Sequence, residues 1–293
     1  MSGPASAQAG DGLALISVIV PTMNSAAVIA GALQSLAEQT WRGFEVIVSD
    51  GGSRDDTVAA ARLFEDRLPA LRIDSRPDSG VYDAINRAVA LARAPWFIVL
   101  GSDDRLHAPA TLAHMSAALT AAPDDVLMVY GDVRMMAANT CGVAPGGRFA
   151  GPLPLPRLCK ANVCQQAIFY RRTAHAALGG FDLRYRLYAD WAFNLRLAFC
   201  GRTQWIDLIV ADYAATGMSA TASDELFLAE RPELIRRELL ARPGSRALWP
   251  LQRQLLSDAN RLLRRGSWRL ALRLCAAYLL LLLQRLPGLH RGA

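Results

Sequence analysis

The first 130 residues alternate between short apolar runs and segments with helical periodicity. Residues 15–20 form a continuous β-branched run closed by Pro21, and residues 44–49 form a second run of the same kind. Such runs are typical of strands buried on both faces of a parallel sheet. Because helical patterns lie between these runs, the sequence predicts an α/β fold with a Rossmann-like, mostly parallel sheet flanked by helices.

Further elements follow the same alternation. We predict helices over residues 24–37, 53–68, 80–93 and 109–121, and strands over residues 96–100, 126–130 and from Ala167. Asn24 or Ser25 is expected to cap the first helix, and Ser53 or Asp55 the second. Glycine and proline dominate residues 137–156, which indicates a long loop within the domain.

Length and cysteine content indicate one domain with an appendage. A chain of 293 residues buries one full core, so we expect a disordered segment over 1–14, the α/β domain over 15–220 and an Arg-rich helical extension over 221–293. Five cysteines without a CxxC pair favour a reducing, cytoplasmic setting. The first dozen residues show no secretory signal. The longest apolar run, residues 274–283, is about half of the roughly 20 residues that a spanning helix needs.

The basic charge is concentrated in the extension. The net charge is +6, Lys160 is the only lysine, and the arginines crowd the last quarter of the chain. Residues 268–286 predict an apolar helix with arginines toward its ends, which can lie in the headgroup region of an anionic membrane. Packing on the α/β domain or on a second subunit explains the same pattern, and the sequence leaves these alternatives open.

Two adjacent acids, Asp103 and Asp104, follow the strand over residues 96–100. The carboxyl ends of strands line the ligand crevice in open α/β sheets. Neighbouring carboxylates repel each other, and a divalent cation shared with diphosphate oxygens relieves that repulsion. An acid pair at such a junction can also simply cap a helix, so the interpretation depends on the neighbouring loops.

Two other strands end in loops suited to a nucleotide at the same sheet edge. The residues at these ends are Pro21, Thr22, Asn24, Asp50, Gly51, Gly52 and Ser53. Asp50 can accept a hydrogen bond from a base N–H, and the glycines let the backbone approach a flat ring. Together with the acid pair, these loops predict a site for a nucleotide diphosphate and a metal ion.

In order and spacing, PTMNSA, SDGGSRDDT and GSDD resemble the nucleotide-binding motifs of the family 2 glycosyltransferases, especially the bacterial surface-polysaccharide branch. DSGVYDAINRAVALA, YGD, QQAIFYRR and YADWAFNLRL extend the resemblance over residues 15–220. It implies a GT-A fold and an inverting transfer of sugar from a nucleotide-diphosphate donor, UDP first with GDP or dTDP as alternatives. The acceptor would be a glycan or lipid-linked molecule in cell-surface polysaccharide or glycolipid synthesis, at the inner face of the plasma membrane, with Mn²⁺ or Mg²⁺ as cofactor and no nucleic-acid partner.

The resemblance also implies residue roles. Nucleotide-sugar contacts fall on Pro21, Thr22, Asn24, Asp50, Gly51, Ser53, Arg76, Asp78, Tyr82, Asp83, Asn86, Ser102 and Asp103. Asp104 would be the principal metal ligand, with Asp103 beside it. Asp190 would be the one general base that an inverting transfer needs, although a helix cap or a partner for Arg196 explains it too.

Weaker candidates are Gln166 for contact with the acceptor or diphosphate, Trp191 for stacking on an acceptor ring, and Ser219 in a loop expected to close over the donor. A structural amide, a core position and a plain turn, respectively, explain these three residues as well. Local capping explains Asp83 and Asn86 nearly as well as donor contacts do. The sequence departs from the family pattern where Ala189 and Ala192 replace acids, which affects acceptor orientation but not the base. It also departs where Gln165 replaces a histidine, which excludes a role for an imidazole at that position.

Three rival functions remain for comparison. A nucleotide-sugar-binding protein without activity would have lost the metal or base acids, whereas both are present. A nucleotidylyltransferase would carry a Gly-rich loop with Arg and Lys after the first strand, and a dinucleotide oxidoreductase would carry GxGxxG there. PTMNSA has neither pattern.

Overall fold

The computed structural model describes residues 14–139, 142–215, 222–242, 249–264 and 266–283. Within these ranges nine strands are present: β1 Ile16–Thr22, β2 Phe44–Asp50, β3 Leu71–Ser75, β4 Trp96–Val99, β5 Arg105–Leu106, β6 Val126–Met135, β7 Arg148–Phe149, β8 Ile168–Arg171 and β9 Arg202–Tyr213. The helices of the same ranges are α1 Ile29–Ala37, α2 Thr57–Arg62, α3 Val81–Leu91, α4 Thr111–Ala121, α5 Leu155–Leu158, α6 Arg172–Ala177, α7 Ala189–Cys200, α8 Glu225–Leu240, α9 Trp249–Arg264 and α10 Trp268–Leu283, with a 3-10 turn at Gln165–Ala167.

All strands join one sheet in the order β3-β2-β1-β4-β8-β6-β9-β5, with β7 paired to β6. The first four strands of this order are parallel, and β1 and β2 are buried along their whole length. The predicted α/β class and the Rossmann-like half sheet are therefore confirmed. In the second half, β8 runs antiparallel to both β4 and β6, while β9 is parallel to β6.

The prediction omitted four strands, the two-residue strands β5 and β7 and the longer strands β3 and β9. The edge strand β3 alternates apolar and polar residues and is only half buried, so it contains no continuous apolar run. The last strand, β9, mixes arginine, glutamine and aspartate with apolar residues and is buried mainly near Val210 and Ala211. Only its pairing with β6, which itself continues to Met135, identifies this segment as a strand.

Three helix starts also differ from the prediction. The first helix begins at Ile29, because Asn24 has a φ of +50° and the chain makes a turn that closes from Ser25 to Val28. Neither predicted residue caps that helix. The second helix begins at Thr57 and ends at Arg62, with turns continuing toward Leu68. The helix expected from residue 109 starts at Thr111, after the short strand β5.

The core lies on both faces of the sheet because successive strand residues point to opposite sides. Val18 and Val20 of β1 join one cluster with α1 and α4, and Ile19 joins the other with α3 and α7. Helices α8, α9 and α10 contribute to the α7 side of this core, for example through Phe227 of α8. No helix in the described ranges combines the length and the apolar character needed to cross a membrane.

Candidate active site

The carboxyl ends of β1, β2 and β4 meet at one edge of the sheet, as the sequence predicts. Thr22 and Asp50 are register partners at the ends of β1 and β2, and the Gly51 amide donates to the Thr22 carbonyl over 2.9 Å. On the other side of β1, the Leu100 amide donates to Ile19 over 2.9 Å. The loops that follow these three strands are therefore neighbours.

Asp50 organises the loop after β2. Its carboxylate is fully buried and accepts hydrogen bonds from the Gly52 amide at 3.2 Å, the Ser53 amide at 3.0 Å, the Ser75 hydroxyl at 2.6 Å and the Ser53 hydroxyl. Burial alone would raise the pKa of Asp50, but these hydrogen bonds outweigh it and hold that pKa below its usual value. The carboxylate is thus ionised and fixed by donors of its own chain.

Asn24 ties the first loop to the second. Its main-chain amide donates to the Ser53 hydroxyl over 2.7 Å, and its side-chain oxygen accepts from the Arg54 amide over 2.9 Å. Thr22 is buried beside them, and its hydroxyl oxygen has no hydrogen-bond partner among the described residues. The pocket therefore offers one buried polar group that a ligand can satisfy.

Asp78 lies directly against Gly51. A Cβ at position 51 would stand 2.5 Å from Oδ2 of Asp78 and 3.3 Å from the sulfur of Met23, so a side chain there would collide with Asp78 and contact Met23 tightly. The Arg76 amide donates to the Asp50 carbonyl over 3.0 Å, while its exposed guanidinium pairs with Asp74. Residues 76–78 reach this pocket because they follow β3.

The acid pair is packed into a tight turn after β4. A Cβ at Gly101 would stand 2.5 Å from Oδ2 of Asp104 and 3.0 Å from Oδ1 of Asp103, so the two carboxylates converge on that point. The Asp104 amide donates to the Gly101 carbonyl over 3.1 Å. Ser102 donates to the Ser25 hydroxyl over 3.0 Å, which joins this turn to the loop after β1.

Asp104 is almost completely buried. Its Oδ1 accepts from the Ala214 amide over 2.8 Å, whereas its Oδ2 has no hydrogen-bond partner in the described part of the chain. Burial and the charge of Asp103 raise the pKa of Asp104 to about 7, against the opposing effect of the Ala214 amide and the Gln166 side chain beside it. A buried carboxylate oxygen without a donor favours a cation as its partner.

The pair fits a hard divalent cation. Mg²⁺ and similar ions are commonly held by one or two carboxylates, with diphosphate oxygens and water in the other positions. Across the described ranges no group of three or more His, Cys, Asp or Glu side chains is arranged to hold a metal ion. Asp103 and Asp104 would therefore need the diphosphate of a ligand to complete the coordination.

Asp190 lies in the first turn of α7 and is 7% exposed. The Tyr82 hydroxyl donates to its Oδ1 over 2.9 Å and the Asn162 amide donates to its Oδ2 over 2.7 Å. Burial raises the pKa of Asp190 to about 6, although both hydrogen bonds oppose the rise. No ion pair joins Asp190 to Arg196 within the described side chains, and Tyr188 occupies the N-cap position.

Several predicted ligand residues are engaged in local structure. Asp83 accepts from the amide and the hydroxyl of Ser79 at 2.9 and 3.0 Å, which is helix capping. Asn86 binds both the amide and the carbonyl of Phe181 and accepts from His175. These bonds tie α3 to the turn before α7, and the side-chain oxygen and amide of Asn86 are already paired.

Trp191 is part of the core. Its indole N–H donates to the Leu158 carbonyl over 2.7 Å, its ring lies 5.1 Å from that of Phe227, and the Arg231 guanidinium lies 4.8 Å from the ring centroid. The structure therefore places this side chain between helices, and we propose no acceptor contact for it. Ser219 lies outside the described residues.

Three residues beside the site carried no signal in the sequence. Asn162 is an isolated amide in the segment before the 3-10 turn, and Ser75 is the last residue of β3, which the prediction omitted. Ala214 acts through its main chain. Recognising β9 and β3 as strands would have brought Ala214 and Ser75 to this edge. Nothing local distinguishes Asn162 from other loop asparagines.

Comparison with known proteins identifies the family to which this chain is similar. Residues 17–174 match the model for glycosyl transferase family 2. A PGL/p-HBAD biosynthesis glycosyltransferase of Mycobacterium tuberculosis is 42% identical over 225 residues, which cover 74% of this chain and 84% of the relative. An uncharacterized glycosyltransferase of the same species is 31% identical over 211 residues, covering 70% of this chain and 77% of the relative.

Two solved structures share the architecture. The structure of Staphylococcus aureus TarS 1–349 in complex with UDP-GlcNAc has a TM-score of 0.60 at 18% identity, covering 79% of this chain and 67% of that chain. The mannosyltransferase PcManGT of Pyrobaculum calidifontis, in complex with GDP-Man and Mn²⁺, has a TM-score of 0.54 at 19% identity, covering 93% and 88%. These likenesses identify the mixed sheet as the GT-A fold, and the chain, a glycosyltransferase, belongs to glycosyl transferase family 2.

Proposed function

We propose that this enzyme transfers a sugar, with inversion, from a nucleotide-diphosphate donor to a glycan or lipid-linked acceptor. The observation that carries the proposal is the convergence of Asp103 and Asp104 on Gly101, with Oδ2 of Asp104 buried and unpartnered among the described residues. This arrangement would form a binding site for a cation and a diphosphate at the edge of the sheet. Asp190 is a separate buried carboxylate suited to proton transfer.

The donor nucleotide would occupy the loops after β1 and β2. Thr22 offers a hydroxyl that has no hydrogen-bond partner in the described part of the chain, Asn24 and Ser53 hold the loop wall, and Asp78 faces the backbone at Gly51. UDP-GlcNAc and GDP-Man are bound by two proteins of the same fold, so a nucleotide sugar is the class of donor we propose. UDP-sugars are the first candidates, with GDP- and dTDP-sugars as alternatives.

Asp104, with Asp103 beside it, would hold Mn²⁺ or Mg²⁺. The bound cation would stabilise the negative charge that develops on the departing diphosphate. The protein supplies two carboxylates held by a glycine turn and by the Ala214 amide. Because both are fixed before the reaction, little reorganisation is needed as the leaving group gains charge.

Asp190 would accept the proton of the attacking hydroxyl. In an inverting transfer the acceptor oxygen forms a bond to the anomeric carbon while the bond from that carbon to the diphosphate oxygen breaks. The diphosphate leaves with the electron pair, and the acceptor proton goes to the Asp190 carboxylate. A pKa of about 6 leaves Asp190 mostly ionised near pH 7 while keeping it basic enough to take a proton.

The relatives and the C-terminal extension support the acceptor class and the location that we propose. The relatives named for PGL/p-HBAD biosynthesis, 42% identical, support an acceptor in glycolipid or surface-polysaccharide synthesis. On α10, Trp268, Leu272, Leu279 and Leu280 are exposed on the side opposite the buried residues, next to Arg269 and Arg273. This apolar, basic side supports peripheral binding to an anionic membrane surface.

A thermal-shift screen of UDP-, GDP- and dTDP-sugars with and without Mn²⁺ tests the donor site, since a ligand that binds only the native state raises the melting temperature. We expect at least one nucleotide sugar to stabilise the protein only when Mn²⁺ is present. Release of free sugar and nucleotide from that donor then measures the reaction with water as acceptor. Stabilisation that is independent of Mn²⁺ and unchanged in Asp104→Asn would contradict the proposed metal site.

A further inference from the structure

We propose that Tyr82 is the positioning residue for the proton that Asp190 accepts, with Asn162 as a fixed donor on the opposite carboxylate oxygen. This inference rests on the proposed role of Asp190 as general base. It also reassigns Tyr82, which the sequence predicts to contact the donor, to the base. The argument depends on how the two oxygens of Asp190 are surrounded.

Oδ2 of Asp190 lies at the end of a chain of hydrogen bonds in which each group donates toward Asp190. Tyr170 donates to Oδ1 of Asn194 over 2.9 Å, Asn194 donates to Oδ1 of Asn162 over 2.9 Å, and Asn162 donates to Oδ2 of Asp190 over 2.7 Å. Each amide is fixed in orientation by the donor before it. Oδ2 therefore faces an N–H, and a proton cannot be placed between these two groups.

The Oδ1 side is different, because a hydroxyl has one proton and can also accept. The Tyr82 oxygen lies 2.9 Å from Oδ1 of Asp190 and 2.8 Å from the carbonyl oxygen of Leu187. Its single proton can be given to either acceptor by rotation about the C–O bond. No heavy atom has to move for this exchange, and the ring of Tyr82 is held against Phe181 at 5.5 Å.

This arrangement suits both protonation states of the base. While Asp190 is ionised, the Tyr82 hydroxyl donates to Oδ1. When the acceptor proton arrives on Oδ1, the Tyr82 proton turns to the Leu187 carbonyl and the Tyr82 oxygen accepts from the new Asp190 O–H. Tyr82 keeps its own proton throughout, since burial and the nearby Asp190 charge raise its pKa well above the usual value.

The groups that face Asp190 from the surrounding elements are few. Among the described residues, the titratable ones are Tyr82 on α3 and Tyr170 on β8, both buried and both with raised pKa values. Asn162 and Asn194 are neutral, and no described arginine or acid forms an ion pair with Asp190. The hydroxyl of Tyr82, the main-chain amide of Trp191 and the side-chain amide of Asn162 all lower the pKa of Asp190 against the effect of burial. Of these donors, the two side chains can each be removed by a single substitution.

The pKa of Asp190 can be measured without any substrate. The difference in unfolding free energy between the parent and Asp190→Asn, followed from pH 4 to 9, has its upper inflection at the folded pKa of Asp190. We expect that inflection near pH 6 in the parent. In a Tyr82→Phe background the charged form loses a hydrogen bond, so the inflection should move upward by roughly one pH unit.

The rate of donor hydrolysis provides the second readout, with the UDP-, GDP- or dTDP-sugar found in the thermal-shift screen. Tyr82→Phe should shift the acidic limb of kcat against pH upward by the same amount, which is about a fivefold loss at pH 6 and about a tenfold loss below pH 5. The dissociation constant of that donor with Mn²⁺ should be unchanged. Asn162→Ala, a second variant, should also raise the inflection because it removes the donor from Oδ2.

The matched control is Tyr185→Phe. Tyr185 is also a buried tyrosine, and its hydroxyl donates to a carboxylate, that of Glu230, over 2.7 Å. Its ring packs on Phe227 rather than on Phe181. Removing this hydroxyl has a similar cost in packing and hydrogen bonding, so we expect some loss of stability but no movement of the acidic limb.

The outcomes separate the two proposals. An inflection that stays at its parental position in both Tyr82→Phe and Asn162→Ala overturns the inference, as does a similar shift in Tyr185→Phe. Weakened donor binding in Tyr82→Phe with an unmoved acidic limb would return this residue to the donor site. If Asp190→Asn keeps full transfer activity, the proposed general base fails, whatever Tyr82 does.

Discussion

The main-chain amide of Ala214 donates a hydrogen bond to Oδ1 of Asp104 over 2.8 Å, although the two residues are 110 positions apart in the chain. Ala214 directly follows β9, and Asp104 lies in the turn after β4. The last long strand therefore fixes one oxygen of the principal acid. Its other oxygen stays buried and unpartnered among the described residues, on the side where Asp103 converges.

Asp104→Asn should abolish the response to metal while the protein stays folded. Because the pKa of Asp104 is raised to about 7, the native state binds more protons than the unfolded chain between about pH 4 and 7, and stability is lost as the pH rises through that window. The neutral amide removes this loss, so the melting temperature at pH 8 without metal should rise by several degrees. The Mn²⁺-dependent shift with donor should disappear.

Asp132→Asn is the matched control for that variant. Asp132 is equally buried, but it accepts from Arg148, the Gly151 amide and the Trp205 indole, away from the strand-end loops. Here the substitution breaks a charge pair and should lower the melting temperature while the Mn²⁺ response persists. Loss of the Mn²⁺ response in both variants would point to a general folding defect.

Asp190→Asn should stop the reaction without weakening donor binding. Removal of a general base typically costs about 10² to 10⁴ in rate. We expect kcat for sugar transfer or donor hydrolysis to fall within that range, and the thermal shift with donor and Mn²⁺ to match that of the parent. Calorimetric titration of the donor would check the second point, and a rate within threefold of the parent would remove Asp190 from the mechanism.

The acidic limb of the rate profile should lie near pH 6. The active form of Asp190 is ionised, and burial raises its pKa to about 6, so kcat should fall about tenfold for each pH unit below that value. The rates should be measured at saturating Mn²⁺, so that Asp103 and Asp104 are held in one state. An acidic limb near pH 4 would mean that the base is a solvated carboxylate rather than buried Asp190.

Gly51→Ala and Gly101→Ala should damage different halves of the site. A Cβ at Gly101 meets both metal carboxylates, and a Cβ at Gly51 meets Asp78. We expect Gly101→Ala to raise the Mn²⁺ concentration needed for half-maximal activity at least tenfold. Gly51→Ala should instead weaken nucleotide binding at saturating Mn²⁺. Each variant is the control for the other, and identical profiles would contradict the division of the site.

The exposed side of α10 should bind anionic membranes. Leu272→Glu with Leu279→Glu adds charge to side chains that are 58% and 59% exposed, so the fold should be unaffected. We expect the double variant to bind phosphatidylglycerol vesicles at least tenfold more weakly in a sedimentation assay. Leu63→Glu, on a leucine that is 77% exposed in the α/β domain, is the control. Equal vesicle binding by all three proteins would exclude this surface.

Local patterns predicted the strands that are buried on both faces and failed for those that are not. β1 and β2 are continuous apolar runs, and their sequence is sufficient to identify them. β3 and β9 are half exposed and carry charged residues, and they are strands because a neighbour supplies hydrogen bonds along their length. The predicted start of α1 was wrong for a related reason. Asn24 takes a left-handed conformation, and its side chain and main-chain amide bind the next loop.

The strand-end loops and their acids can be identified from the amino-acid sequence alone. Parallel strands bring their carboxyl ends to one edge, so Thr22, Asp50 and Asp104 had to be neighbours once the α/β alternation was recognised. The hydrogen-bond partners of those acids, in contrast, become visible only in the folded protein. Ala214 reaches Asp104, and Tyr82 and Asn162 reach Asp190, from segments that packing brings together over long separations. Periodicity shows which face of an element is buried. How deeply a carboxylate is buried, and which groups donate hydrogen bonds to it, depend on how the whole chain packs. Burial and hydrogen-bond donors together set the pKa of each carboxylate.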